Sequence, residues 1–334
     1  MFLDGHDHPH EVNPDKDYFV SWNNRQAPGW SEDDSGWGFS SLYRADMLED
    51  QILAEEAAGR KIDPVRLAQL MEHAGLTDFR GSHVLPKLLR VLDAGDAPDE
   101  RTAEMANLLR DWMAPEDDFA WGAMRRDADE DGEYEQTSAI AIMDAWWKPL
   151  INAMYDPALG QPIDEVTRLP TFHNEPSSVG SAFQDGFYGQ VWTDLAMLLG
   201  DEVKSPTDRT YCGASDLSGG SLDACADALW ASLAATGEQL ASDQGSEEPS
   251  DWSADAAGER IMFLPTAVLS MHWVNRPTTQ SFATFGAPLP PAAPDAPDPA
   301  PDLAETGGGA AALVVALLLL AAFAALRDRR REAA

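Results

Sequence analysis

The chain has 334 residues, 44% of them hydrophobic, with 11 Trp and 12 Phe, which is enough for a packed core and too apolar for a disordered chain. Its formal charge of −34, from 57 acids against 23 bases, repels phosphate backbones and excludes nucleic acid as a partner.

In chain order, His6, His8 and His10 offer imidazoles without carboxylates to fix a metal, and read as an N-terminal loop. Tyr18 to Trp22 is the first strand-like run. Asp63 followed by Pro64 predicts a capped helix start, with Val65, Ala68, Met71 and Glu72 at helical spacing and Gly75 closing the end. Asp99 caps a second predicted helix through Trp112, and Ser138 to Tyr155 is apolar enough for a buried one. Between these, Asp127, Asp129 and Asp131 ahead of Gly132 have the alternating spacing of a calcium loop. Ser138 stands at the twelfth position, where a bidentate Glu is expected, so a solvated acidic turn is the competing reading.

Cys212 and Cys225 are the two cysteines. In an exported chain they would pair, for about 3 kcal/mol by loop entropy; otherwise they stand as separate thiols, too few for a metal site. Ile261 to Trp273 is in part strand-like. The mixture is α+β, with no phosphate-cradling Gly loop, GxSxG elbow or HExxH pair.

Residues 287–306 form a Pro, Asp and Ala-rich spacer that holds the backbone extended. Ala310 to Leu326 is an unbroken apolar run, about 25 Å as a helix, near the lower limit for a membrane span. We assign the span to residues 307–326 and a cytoplasmic tail to 327–334, where Arg327, Arg329, Arg330 and Arg331 orient everything upstream to the outside. The expected location is the cell membrane, single-pass, with residues 1–286 as an extracellular globular region. Leu303-Ala304-Glu305-Thr306-Gly307 resembles a sortase sorting signal, with Thr306 as the point of wall attachment; a plain stalk and membrane anchor is the other reading.

The segment Tyr18-Phe19-Val20-Ser21-Trp22-Asn23-Asn24 through Trp30 resembles the strand and loop of penicillin acylase β chains. Further features agree in order: Asp33-Asp34 with Trp37-Gly38, Tyr43-Arg44, Asp78-Phe79-Arg80-Gly81, Gly132-Glu133-Tyr134-Glu135, Trp146-Trp147, the cysteine pair, and His272 to Thr278. The resemblance implies part of an αββα N-terminal-nucleophile hydrolase fold, largely helical in this stretch. It also implies hydrolysis of a linear N-acyl amide, such as the acyl side chain of a β-lactam or an acyl-homoserine lactone. By resemblance Asn23 donates its carboxamide to the oxyanion of the reacting amide, a role suited to a donor that does not titrate. Arg44 organises the surroundings of the nucleophile through a fixed, permanently charged fork, and Asp33 or Asp34 supplies a calcium carboxylate. Other readings stay open: Asn23 as a chain-turning residue, and Arg44 as a surface ion pair with Asp46 or Glu49.

The family's nucleophile should precede the Trp-Asn-Asn motif by a long stretch, whereas Asn23 lies 22 residues from the start and Met1-Phe2 supplies no Ser, Cys or Thr. Nor does a signal peptide precede the anchor. The expectation is that the nucleophile-bearing half belongs to a partner, the α chain with the N-terminal part of the β chain, and that this chain alone is inactive. A second expectation follows: without partner strands the fragment should expose sheet edges and be poorly stable. A surface-displayed binding or structural remnant is the non-catalytic alternative.

Overall fold

In a computed structural model of the chain, the described residues are 10–22, 42–115, 118–166, 187–203, 206–260 and 272–274, without the side chains of 42–44. They contain eight α-helices. Helices α1 (Leu42–Ala57) and α2 (Pro64–Leu76) precede a buried π-helical turn, Arg80–Val84, that runs into α3 (Leu85–Leu92). Then come α4 (Glu100–Met113), α5 (Thr137–Leu159), the short α6 (Ile163–Val166), α7 (Tyr188–Leu198) and α8 (Leu222–Gln244).

Local chemistry sets most of the helix starts. The carboxylate of Asp63 accepts from the Arg66 N–H, and that of Asp99 accepts from the Thr102 N–H, each satisfying an amide that the helix cannot. Ser221 does the same for α8 through the Ala224 N–H. The π-helical turn also has a local cause. Pro86 has no N–H for the Ser82 carbonyl, and the preceding Leu85 N–H reaches back to the Arg80 carbonyl, one residue further than an α-helix allows.

Helix α5 is central because it is apolar on nearly every side, burying Ile140, Ile142, Met143, Trp146, Trp147, Leu150, Ile151 and Met154. Helix α8 packs along it and also touches α3 and α4. Three buried indoles keep their N–H groups paired: Trp112 donates to the Met124 carbonyl (3.0 Å), Trp230 to the Leu92 carbonyl (3.0 Å) and Trp252 to the Ser246 carbonyl (2.9 Å). That pairing removes the desolvation cost of burying such large amphipathic rings.

Three expectations need correction. No strand forms among the described residues, where pairing is limited to isolated bridges at Thr77–Met124 and Glu133–Asp255. Tyr18 to Trp22 is irregular, since a β ladder needs a neighbouring chain and no described residue supplies one. The described part is therefore helical rather than α+β. Gly75 does not close α2, which continues to Leu76 and ends through an extended Thr77. The buried face of α2 includes Leu70, His73 and Ala74, while Val65 is exposed, so the residues noted for their helical spacing are not the ones that face the core.

No helix among the described residues is long and apolar enough to cross a membrane. The predicted span Ala310 to Leu326, the spacer and Thr306 lie outside the described residues, as does most of Ile261 to Trp273.

Candidate functional site

Asn23, Asp33 and Asp34 lie outside the described residues, and Arg44 is placed in the first turn of α1 without its side chain. What the structure does describe is the footing on which they stand. Trp22, the residue before Asn23, is buried with its ring edge-on to Phe79 at 5.5 Å, and Phe79 in turn meets Tyr188 of α7 at 5.6 Å. The segment that leads to Trp22 is tied to the helix that carries Arg44. Both Lys16 Nζ (2.9 Å) and the Tyr18 hydroxyl (3.0 Å) donate to Glu49 of α1, and the two positions singled out for catalysis thus follow from elements fixed to each other.

Beneath Phe79 lies a buried network of charges. Arg80 donates to Asp78 (2.5 Å) and to Asp144 of α5 (2.6 Å). Arg125 donates to Asp78 (3.2 Å), to both Asp144 oxygens (2.9 Å each) and to Glu259 (2.5 Å). The Tyr134 hydroxyl donates to Glu259 as well. The Arg125 guanidinium is fully buried and lies over the rings of Tyr134 (5.0 Å) and Trp273 (5.2 Å), an arrangement in which the aromatic faces replace part of its lost hydration.

Three carboxylates face two guanidiniums here, and the difference is visible in their titration. Burial pushes Asp144 up, but Arg125 and Arg80 outweigh it and hold the carboxyl below its usual range. Burial and then Asp144 push Glu259 up in spite of Arg125, opposite to the direction in which Asp144 moves. Asp78, Arg80, Tyr134 and Trp273 belong to the motifs quoted from the sequence. Arg125, Asp144 and Glu259 were missed; no sequence signal identifies them, because their partners come from three separate stretches of chain.

Among the described residues, one cavity opens against Arg125 of this network and another lies beside the π-helical turn. The larger, about 880 Å3, is lined in part by Arg66, His73, Phe119, Arg126, Asp127 and His272. His73 stacks on Phe119 at 4.1 Å and accepts from Gln51 Nε2 (2.9 Å), because the Gln51 carbonyl oxygen already takes the Ala120 N–H. Burial, reinforced by Arg126 and Arg66, lowers His73 to about 4, so it is neutral at pH 7. The smaller, about 330 Å3, contains Ser82, His83 and Asp46. They are not a nucleophile with its base: the Ser82 hydroxyl is on the Met47 sulfur (3.5 Å), and His83 stands 4.0 Å from Asp46, beyond hydrogen-bond reach.

The structure joins Cys212 to Cys225 in a disulfide with Cα atoms 4.9 Å apart. The backbone N–H groups of Tyr211 (2.7 Å) and Cys212 (2.8 Å) donate to Asp194 of α7, so the bridge fastens the start of α8 to that helix. Asp127, Asp129 and Asp131 come together with ligand atoms within 4.8 Å of one another. Ser138 is no ligand, since its hydroxyl sits on the carbonyls of Ser250 (3.1 Å) and Trp252 (2.9 Å).

The backbone follows that of a known acylase class. A solved structure of thermostable penicillin G acylase from Alcaligenes faecalis superposes with a TM-score of 0.50 at 15% identity, over 79% of this chain and 44% of that one; the chain thus spans less than half the length of that relative. Residues 1–282 match the family model for penicillin amidase. The chain belongs to the penicillin amidase family, whose members hydrolyse amides.

Proposed function

We propose that the chain is the oxyanion-binding part of a penicillin-acylase-type amidohydrolase that cleaves a linear N-acyl amide once joined to a nucleophile-bearing half. The observation that carries this is the family match across residues 1–282, within which Trp22, pinned on Phe79, delivers the chain to Asn23. In the proposed step, a hydroxyl on the partner half attacks the amide carbonyl while the free α-amino group of the same residue takes the proton. The Asn23 side-chain N–H donates to the oxyanion that forms, and Arg44 holds the nucleophile's surroundings in place through hydrogen bonds. The acyl group is that of a β-lactam side chain, an acyl-homoserine lactone or a similar small amide. Calcium held in part by Asp33 or Asp34 belongs to the same reading, as a structural ion only.

We place residues 1–286 outside the cell, on a spacer carried by the single span at 307–326; protease added to intact cells should then remove the globular part and spare the tail. If a sortase acts at Thr306, the chain is released with wall fragments rather than with membrane. The central experiment is co-expression with the coding region upstream and assay of a chromogenic arylamide. Turnover is expected for the pair, none for this chain alone, and a loss of about a hundred- to a thousandfold in kcat for Asn23→Ala. A complete pair that releases no arylamine would overturn the proposal in favour of a non-catalytic surface remnant.

A further inference from the structure

We infer that the loop Asp127–Gly132 binds one calcium ion through the carboxylates of Asp127, Asp129 and Asp131, at a site separate from Asp33 and Asp34. The decisive observation is Asp127. It is 6% exposed, and both of its carboxylate oxygens are buried without a hydrogen-bond partner among the described residues. A buried, unsolvated carboxylate is costly unless a cation neutralises it. The neighbouring positive groups are engaged elsewhere: Arg125 with Asp144 and Glu259, and Arg126 at 4.0 Å from Glu135. His272 Nδ1 lies 3.9 Å from Asp127, and its other ring nitrogen 3.8 Å from Glu130, too far to hydrogen-bond either.

The Asp127 oxygens share a small volume with two more carboxylates, all within 4.8 Å of one another. Calcium binds oxygen at about 2.3–2.6 Å, so two opposed ligands span about 4.6–5.2 Å, against about 4.0–4.2 Å for magnesium. The bound of 4.8 Å is compatible with calcium, whose coordination is more flexible than the strict octahedron of magnesium, and an all-oxygen donor set favours such a hard ion over zinc or copper. Gly132, at φ +93, makes the turn that lets the Glu133 N–H donate to Asp131 Oδ1 (2.9 Å), leaving the other oxygen of Asp131 for an ion. The same turn is stitched to the segment that carries Glu259. The Gly132 carbonyl accepts from the Ala257 N–H (3.2 Å), and Glu133 pairs with Asp255. An ion here would thus brace the Arg125 network from its solvent side.

The test uses the full chain with Asp33→Asn and Asp34→Asn already in place, stripped with EDTA and titrated with calcium chloride by calorimetry, with thermal melts in parallel. We expect one calcium per chain and a rise in Tm, weaker binding of magnesium, and loss of about tenfold or more in calcium affinity for Asp129→Asn. Asp127→Asn should bind none. Because Asp129 is exposed, its Asn variant keeps the fold and decides the matter even if Asp127→Asn unfolds. No uptake up to about 5 mM, beyond the range of weak extracellular calcium modules, would overturn the inference, as would unchanged binding in Asp129→Asn. Binding that disappears in His272→Ala but persists in Asp129→Asn would assign the ion to a different site and overturn it too.

Discussion

The carboxylate of Glu55 accepts from Arg60 (2.8 and 2.7 Å) and from Arg66 of α2 (2.5 Å), and these hydrogen bonds lower it to about 2 from an ordinary 4.5. Because the folded value lies below the unfolded one, its contribution to stability is complete above about pH 4.5 and is lost as the pH falls towards 2. Glu55→Gln should therefore flatten the fall in urea stability over that interval and leave its slope near pH 7 unchanged. Arg125 makes a larger demand. Its replacement by Met leaves Asp144 and Glu259 buried without their main counter-charge, and we expect a loss of about 3–5 kcal/mol in urea unfolding. Asp63 and Asp99 were legible as caps because each meets an N–H three residues away. Arg125 was not, since Glu259 lies 134 residues further along the chain.

Among the elements, α4 and α5 were readable from a capping Asp and an apolar run, because both signals lie within the helix itself. The buried face of α2 was not, since Val65 and Leu70 are equally apolar and only the packing partner selects between them. The strand expected at Tyr18 to Trp22 is irregular for a related reason: its aromatic and β-branched residues suit an extended backbone, but a strand also requires something to pair with. The disulfide binds the Cys212 turn to the first turn of α8, which Asp194 holds through two backbone amides. Opening the bridge with Cys212→Ser and Cys225→Ser together should lower stability by about 3 kcal/mol through the freed loop. A melt in which the double variant matches the parent would show that the Asp194 contacts alone hold the turn.

Across the described residues, one hydrophobic core draws on every helix from α1 to α8, the short α6 contributing Ile163, and a few large apolar side chains such as Phe19, Val65 and Leu217 stay exposed. A fragment left with bare sheet edges was expected to be poorly stable, yet the described helices cover one another. We therefore expect urea unfolding of residues 1–286 to be a single sharp transition, with tryptophan fluorescence and far-ultraviolet circular dichroism coinciding; separated transitions would show that the helices do not suffice as a unit. By itself the sequence determined the acidic charge, the caps at Asp63 and Asp99 and the family resemblance, all of which depend on composition or on short stretches of chain, whereas the cysteine pairing stayed open until the structure joined Cys212 to Cys225. Tertiary structure alone decided that Asp78, Arg80, Arg125, Asp144 and Glu259 share one buried network and that both Asp127 carboxylate oxygens lie buried with no hydrogen-bond partner among the described residues. Both are matters of burial, and burial depends on distant segments arriving at the same place.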